Sequence, residues 1–333
     1  MKRVILLLNI LFLAATAAKE VRLYTERHYD SDKRIFKQFT EQTGIEVKVV
    51  KAGADELIAR MEAEKDAPQA DLYITVDAAT LGRASAKGLF QAHDSQTVED
   101  RILDGLAAAD GTWVPLTMRA RVFATSKERL ESPPTSYAGL AEPGYRGRVL
   151  VRSSTSHYNQ SLLAAIIAAS GRDAAMKWAG GVKNNMARPP QGGDRDQIRA
   201  VALGLGDIAV TNSYYLGLLE KSDDPKDRAA RAAVNVVFPD LDGRGTHVNI
   251  SGGGIIKGAP NLENAVKLLE FLTSDEIQGL YQELNAEYAV VKGVEPTAIQ
   301  KGWGEFTPDF ESLDELSSHT VDAVRIFNLV GWP

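Results

Sequence analysis

Short strand-like runs alternate with amphipathic helical runs along most of this chain, and the alternation constrains the fold more than any other feature. Glu20–Thr25 (EVRLYT) reads as a short alternating strand. A helix bearing Ile35, Phe36 and Phe39 follows, with Asp30 or Asp32 as its expected cap and Gly44 as its end. Ile45, Val47 and Val49 alternate with Glu46 and Lys48, the pattern of a half-buried strand. Asp55–Lys65 is helical in pattern and Asp71–Val76 is a strand. This β-α-β-α-β order predicts an α/β layer with parallel strands. The pattern recurs with a strand at Arg148–Val151, a helix at Tyr158–Ala169 ending at Gly171, a helix at Asp194–Leu203 and a strand at Asp207–Thr211. Leu262, Ala265, Val266, Leu269 and Leu272 then form one helical stripe.

A chain of 333 residues is long enough for two sizeable cores. With 44% hydrophobic and 25% charged residues it has the composition of an ordinary globular protein. It contains no cysteine, which excludes disulfides, zinc–thiolate sites, iron–sulfur clusters and thiol catalysis. A net charge of −6 argues against a nucleic-acid partner, which needs a basic face. Residues 1–18 (MKRVILLLNILFLAATAA) have the form of a cleavable signal peptide: Lys2 and Arg3, an apolar stretch from Val4 to Leu13, then Ala15-Thr16-Ala17. Its removal takes away two positive charges and no negative one, so the net charge becomes −8. The expectation is a soluble, unanchored, monomeric protein of the periplasm. Two α/β lobes in an exported chain of this size suggest a solute-binding protein with its ligand in the cleft between them.

Tyrosine is the informative residue type. Tyr214 and Tyr215 are adjacent in TNSYYLG, just after the strand DIAVT. Taken alone, such a pair is more often one core and one surface aromatic. His28 and Tyr29 lie in YTERHYDSD after the first strand, and Tyr158 lies in RSSTSHYNQS, again after a strand. If these turns converge, they make a hard, oxygen-rich pocket. A phenol titrates near about pH 10, so it becomes phenolate near neutrality only beside strong positive charge. A hard trivalent ion such as Fe3+ fits such donors best, because Mg2+ and Ca2+ favour carboxylates and carbonyls.

The segments RHYDSD, RARV, GRVLVRSSTSHYNQS, TNSYYLG and GRGTHVNISGGG resemble, in order and across the mature chain, the ferric-iron-binding proteins of bacterial ABC iron importers. The resemblance is to the subclass whose site is dominated by tyrosines with a neighbouring histidine. It implies a two-lobed α/β fold of the type II periplasmic-binding-protein kind, with two crossing hinge strands and the ligand cleft between the lobes. The expected division is 19–118 plus 238–290 for the N-terminal lobe and 119–237 plus 291–333 for the C-terminal lobe. It implies Tyr29, Tyr158, Tyr214 and Tyr215 as iron ligands, His28 at the position that supplies an imidazole in some members, and Arg119 as a cation beside the tyrosines. Four phenolates around Fe3+ leave one negative charge, which one guanidinium neutralises; an uncompensated buried charge would cost several kcal/mol. Arg121 is a less certain contributor. The implied partner is an inner-membrane ABC permease. Where some relatives carry an arginine after YY-x-G, this chain has Leu218 after Gly217, which removes a second arginine from the expected site. Water or carbonate is the candidate to complete the shell. Ser153–Ser156 read more simply as an N-cap cluster than as an anion cradle.

Other signals are weaker. His93, His157, His247 and His319 have no metal-ligand spacing. Gly252–Gly254 lack the partners of a phosphate loop and suit a close crossing of chain between lobes. Asp240 and Asp242 read as a solvated turn. No catalytic constellation is present, so the expectation is a non-enzyme. The alternatives left open are a binding protein for another small anion or a polyamine, a secreted enzyme on the same scaffold, and a carrier that also takes Fe2+ or Mn2+.

Overall fold

The computed structural model describes residues 19–27, 29–108 and 110–333, without the side chains of Ser312 and Asp314. The expected leader and His28 lie outside the described residues. The strands are β1 (Glu20–Thr25), β2 (Glu46–Lys51), β3 (Leu72–Thr75), β4 (Phe90–Gln91), β5 (Val114–Ser126), β6 (Val149–Leu150), β7 (Ile208–Asn212), β8 (Val234–Val237), β9 (Thr246–Ile256) and β10 (Pro308–Asp309). β1 lies parallel between β2 and β3, with Val21 opposite Val47 and Leu23 opposite both Val49 and Leu72. Val21 and Leu23 are fully buried. A fully buried side chain of this size contributes on the order of 1.5–3 kcal/mol. Among the described residues β2 is the outer strand, and Val49 and Val50 remain exposed because it has a strand neighbour on one side only.

The helix after β1 spans Asp30–Thr43 and stops at Gly44, whose φ of +72° suits glycine and whose N–H reaches the Thr40 carbonyl at 2.8 Å. Neither aspartate caps it. The N-cap position is Tyr29, and Asp32 is drawn away into a buried ion pair with Arg27, Oδ2 to Nε at 3.1 Å. That exchange of a cap for an ion pair fixes the loop that carries Tyr29.

Two long strands join the halves of the molecule. β5 and β9 are buried along their whole length and pair antiparallel from Val114–Gly253 to Ala120–Val248. The first end of this ribbon continues into β3 and β4, and the far end of β5 pairs with β7 and β8. The chain is thus two α/β lobes on a shared sheet, joined by two crossing strands. Residues after β8 stay beside the second lobe, where Asp240 exchanges backbone hydrogen bonds with Thr135 and Tyr137 at 2.9 and 3.0 Å. The glycines of β9 lie on a crossing strand, at the end that packs inside the first lobe. A Cβ on Gly254 would sit 2.8 Å from the Thr112 carbonyl and 2.7 Å from the Phe90 ring.

The last helix, Glu311–Val330, packs against Ala78–Ala86 of the first lobe and against His157–Ser170 and Arg172–Asn185 of the second. Its approach to the first lobe is so close that a Cβ on Gly82 would meet Ser317 Oγ at 2.8 Å.

Candidate functional site

Each sequence-selected tyrosine in the described residues stands at the start of a helix. Tyr29 immediately precedes Asp30–Thr43, Tyr158 is the second residue of His157–Ser170, and Tyr214 and Tyr215 are the second and third of Ser213–Glu220. The last two helices follow strands β6 and β7, so their first turns emerge at the strand ends that face the first lobe. Unpaired N–H groups and the helix dipole favour negative charge at such termini.

The structure brings these side chains together. The Tyr158 and Tyr214 hydroxyls are 3.1 Å apart. The rings of Tyr214 and Tyr215 lie 4.1 Å apart between centroids. Tyr29 is close enough for charge on it to bear on Tyr214 and Arg119, and Tyr158 bears on Tyr29 in turn. Guanidinium groups surround the phenols: Arg27 is 4.7 Å from the Tyr29 ring, Arg152 is 5.3 Å from the Tyr158 ring and Arg195 is 5.7 Å from the Tyr215 ring.

Burial pushes the pKa of Tyr29, Tyr214 and Tyr215 upward. Glu287 is the next cause at Tyr29, with Arg27 and Arg119 pulling the other way. At Tyr214 the neighbouring tyrosines add to burial, since like charges resist accumulation. The three phenols therefore hold their protons at neutral pH.

Arg119 is 2% exposed and donates from Nη2 to the Val76 carbonyl, while its Nη1 has no hydrogen-bond partner. Burial opposes its charge, but Tyr29, Glu287, Tyr158 and Tyr214 hold its pKa above the usual range. Arg121 is equally buried but tied elsewhere: Nη1 pairs with Asp194 at 2.6 Å and Nη2 with Asn159 Oδ1 at 3.0 Å. It ties the Tyr158 helix and, through Asn212 Oδ1 at 3.1 Å, the residue before the Tyr214 helix to β5, and forms a self-neutral pair with Asp194.

Glu287 is fully buried, and one of its carboxylate oxygens has no partner. It sits in ELNAEYAV, where no motif or spacing marks it, so sequence reasoning missed it. Arg27 opens the segment RHYDSD, but its partner Asp32 was read as a helix cap, so its place beside Tyr29 was missed as well. His247, set aside on spacing, lines a small cavity with Tyr158, Arg119 and Arg121. Burial, then Arg121 and Arg119, lower its pKa to about 3, so the imidazole stays neutral. His157 is exposed. Ser156 occupies the N-cap of its helix without making a side-chain cap bond, so the serine cluster does not act as the expected cap. Asp240 accepts backbone N–H groups from Gly243 and Gly245 at 2.6 and 3.0 Å, the expected turn.

An open cleft of about 620 Å3 runs beside Tyr158, lined by Glu26, Asp77 and Arg83 from the first lobe and by Arg152 and Thr155 from the second. At its floor Asn249 of β9 donates to Asp77 Oδ1 at 2.7 Å and to Ser161 Oγ at 2.6 Å, tying both lobes to the crossing strand. Among the described residues no group of three His, Cys, Asp or Glu side chains is placed to hold a metal. The oxygen donors gathered here are chiefly phenols.

Comparison with known proteins bears on this arrangement. The family model for bacterial extracellular solute-binding proteins matches residues 34–307. Iron uptake protein A1 of Synechocystis is 42% identical over 315 residues, covering 94% of this chain and 88% of that protein. Among solved structures, a Trichodesmium protein (IdiA, FutA) in complex with iron and citrate ligands superposes with a TM-score of 0.88 at 41% identity, covering 94% of this chain and all of that one. The ferric binding protein from Campylobacter jejuni gives a TM-score of 0.86 at 38% identity, again over 94% of this chain and all of that one.

Proposed function

This chain belongs to the bacterial extracellular solute-binding proteins, and from that premise we propose that it captures ferric iron in the periplasm and delivers it to an inner-membrane ABC permease. The observation that carries this reading is the meeting of phenols from separate helix starts beside one cleft, with no carboxylate or imidazole cluster among the described residues to compete for a metal. The names of the relatives, iron uptake protein and ferric binding protein, agree with it. It needs no catalytic step, and the reading is of a carrier that is not an enzyme.

On this reading Tyr29, Tyr158, Tyr214 and Tyr215 are the ligands. His28, beside Tyr29 in sequence, supplies an imidazole, and water or carbonate fills any remaining position. Residues 1–18 are removed on export, and the mature protein acts as a monomer. We place the division between the lobes inside the crossing strands, near Met118–Arg119 in β5 and near Asn249–Ser251 in β9, whereas the sequence expectation placed the return at residue 238. Iron meets the paired tyrosines of the second lobe first. Rotation about the crossing strands then brings Tyr29 onto it, and metal bonding stabilises the closed arrangement. Docking on the permease favours reopening.

Each phenol gives up its proton as it binds, so protons compete with iron and affinity falls as pH falls. The metal content and visible spectrum of the purified protein, with and without citrate, test the reading. Iron-loaded protein should show a phenolate-to-iron charge-transfer band. Tyr214→Phe and Tyr215→Phe should each lose most of the affinity and colour, and full colour in the double variant would sink the site.

A further inference from the structure

A second cavity lies behind the crossing strands. Met118 and Arg119 are neighbours on β5, so their side chains leave on opposite faces. Arg119 joins the tyrosines, and Met118 lines a cavity of about 710 Å3 that opens on the other side. Glu287 and Tyr288 repeat the division. Glu287 acts on Tyr29, while Tyr288, locked to Met118 by backbone hydrogen bonds of 3.0 and 2.7 Å, lines the cavity. The volume falls in the range of small-molecule sites, roughly 300–1,000 Å3.

The lining has the makings of a binding site. Met118, Tyr288, Val291 and Phe306 form apolar and aromatic walls. The Tyr288 ring meets Phe306 edge-on at 5.3 Å. Its hydroxyl is buried with no hydrogen-bond partner, although the residue is only 6% exposed. The Gln282 amide lines the same space and is 4% exposed. At the rim stand Glu295, Lys301 and Glu305, with Lys301 paired to Glu295 at 3.3 Å. The rim therefore carries one net negative charge.

We propose that this cavity is a second ligand site and that it takes a small aromatic amine as its monocation. The ring would lie against Phe306 and Tyr288. The ammonium would find the Tyr288 oxygen, the Gln282 carbonyl and the Glu305 carboxylate, and the aromatic faces favour a cation as well. A carboxylate-bearing ring would be repelled at the rim.

The site also couples to the cleft. Leu103 and Gln282 belong to the first lobe, whereas Phe306 stacks on Phe238, which follows β8 of the second, at 4.4 Å. Relative movement of the lobes alters the cavity. It is formed in the arrangement that sets Tyr29 beside Tyr158 and Tyr214, so a ligand bound there stabilises that arrangement. By linkage, the ligand and iron then tighten each other by one common factor. The coupling rests on the iron reading; occupancy of the cavity does not.

Calorimetry with tryptamine and indole-3-acetate, on metal-free and iron-loaded protein, tests the proposal. Tryptamine should bind one to one in the sub-millimolar range, with indole-3-acetate weaker by about tenfold or more from the reversed charge. Tyr288→Phe, which removes only the hydroxyl, should weaken tryptamine by about fivefold. Val294→Trp, at the half-buried rim, should abolish it by filling the mouth. Absence of tryptamine binding to the metal-free protein, or binding unchanged in both variants, overturns the site whatever ion the tyrosines hold. Tryptamine binding that leaves iron affinity against citrate unchanged overturns the coupling.

Discussion

Arg119 and Glu287 set opposite charges against the same phenols, and together they revise the charge balance of the site. With Arg119 alone, four phenolates and Fe3+ make a neutral cluster. Glu287 returns one negative charge to the buried cluster, since Arg27–Asp32 and Arg121–Asp194 each cancel internally and Arg152 and Arg195 reach solvent. The two side chains should therefore act in opposite directions. Arg119→Gln should weaken iron binding by about tenfold or more, because a buried cluster loses its compensating cation. Glu287→Gln should strengthen it, by on the order of 1 kcal/mol at the effective dielectric of such sites. Competition titrations against citrate measure both, and a shift of both variants in one direction would count against this balance. The tyrosines were legible in sequence because each follows a strand-like run at the expected start of a helix. Glu287, Arg27 and His247 were not, because their roles come from tertiary burial that no local spacing records.

Adjacent glycines on one helix show how finely an element is fitted to its neighbours. Gly180 and Gly181 both lie in Arg172–Asn185. A Cβ on Gly180 meets nothing within 4 Å, whereas one on Gly181 would fall 2.7 Å from Ala141 Cβ and 2.8 Å from its carbonyl oxygen. Gly180→Ala should stabilise the protein by about 0.5–1 kcal/mol through helix propensity. Gly181→Ala should destabilise it by about 1–3 kcal/mol through overpacking against backbone. Urea denaturation of the two variants checks the opposite signs. Element type was readable from periodicity: β1 and the Asp30–Thr43 helix end where their patterns end. Partners were not. Asp32 had the spacing of a cap and is an ion-pair residue, because the arginine that claims it lies in a loop with no pattern of its own. The glycines of β9 looked like a crossing point; they lie on a crossing strand and are pressed by different neighbours, Gly252 by Leu81 and Val114, Gly254 by Phe90 and Thr112.

For the molecule as a whole, buried phenols make stability depend on alkaline pH. Burial, then Glu64, pushes the Tyr24 pKa up to about 12. Burial raises Tyr73, Tyr281 and Tyr288 as well. In the unfolded chain these groups ionise near about pH 10, so above that the unfolded state binds fewer protons than the native one and stability falls with rising pH. Below that pH the contribution is fully present. The urea midpoint should drop between pH 8 and pH 11, and Tyr24→Phe should drop less. The two-lobed α/β plan was legible from the repeated strand–helix alternation. No local pattern marked the lobe boundaries, because β5 and β9 each run unbroken between the lobes.

The end of the chain has a practical side. Ser154 donates its backbone N–H to the Pro333 carbonyl at 2.8 Å, and Trp332 Nε1 donates to the Arg152 carbonyl at 3.1 Å. These contacts dock the C-terminus against the turn that leads into Tyr158. A polyhistidine affinity tag appended after Pro333 would begin at that turn, where its imidazoles would compete with the tyrosines for a metal. Lys19 begins at the opposite end of β1, whose far end runs toward Tyr29. A tag placed directly before Lys19 would stand clear of the cleft, and colour or affinity measured with it would report on the protein rather than on its handle.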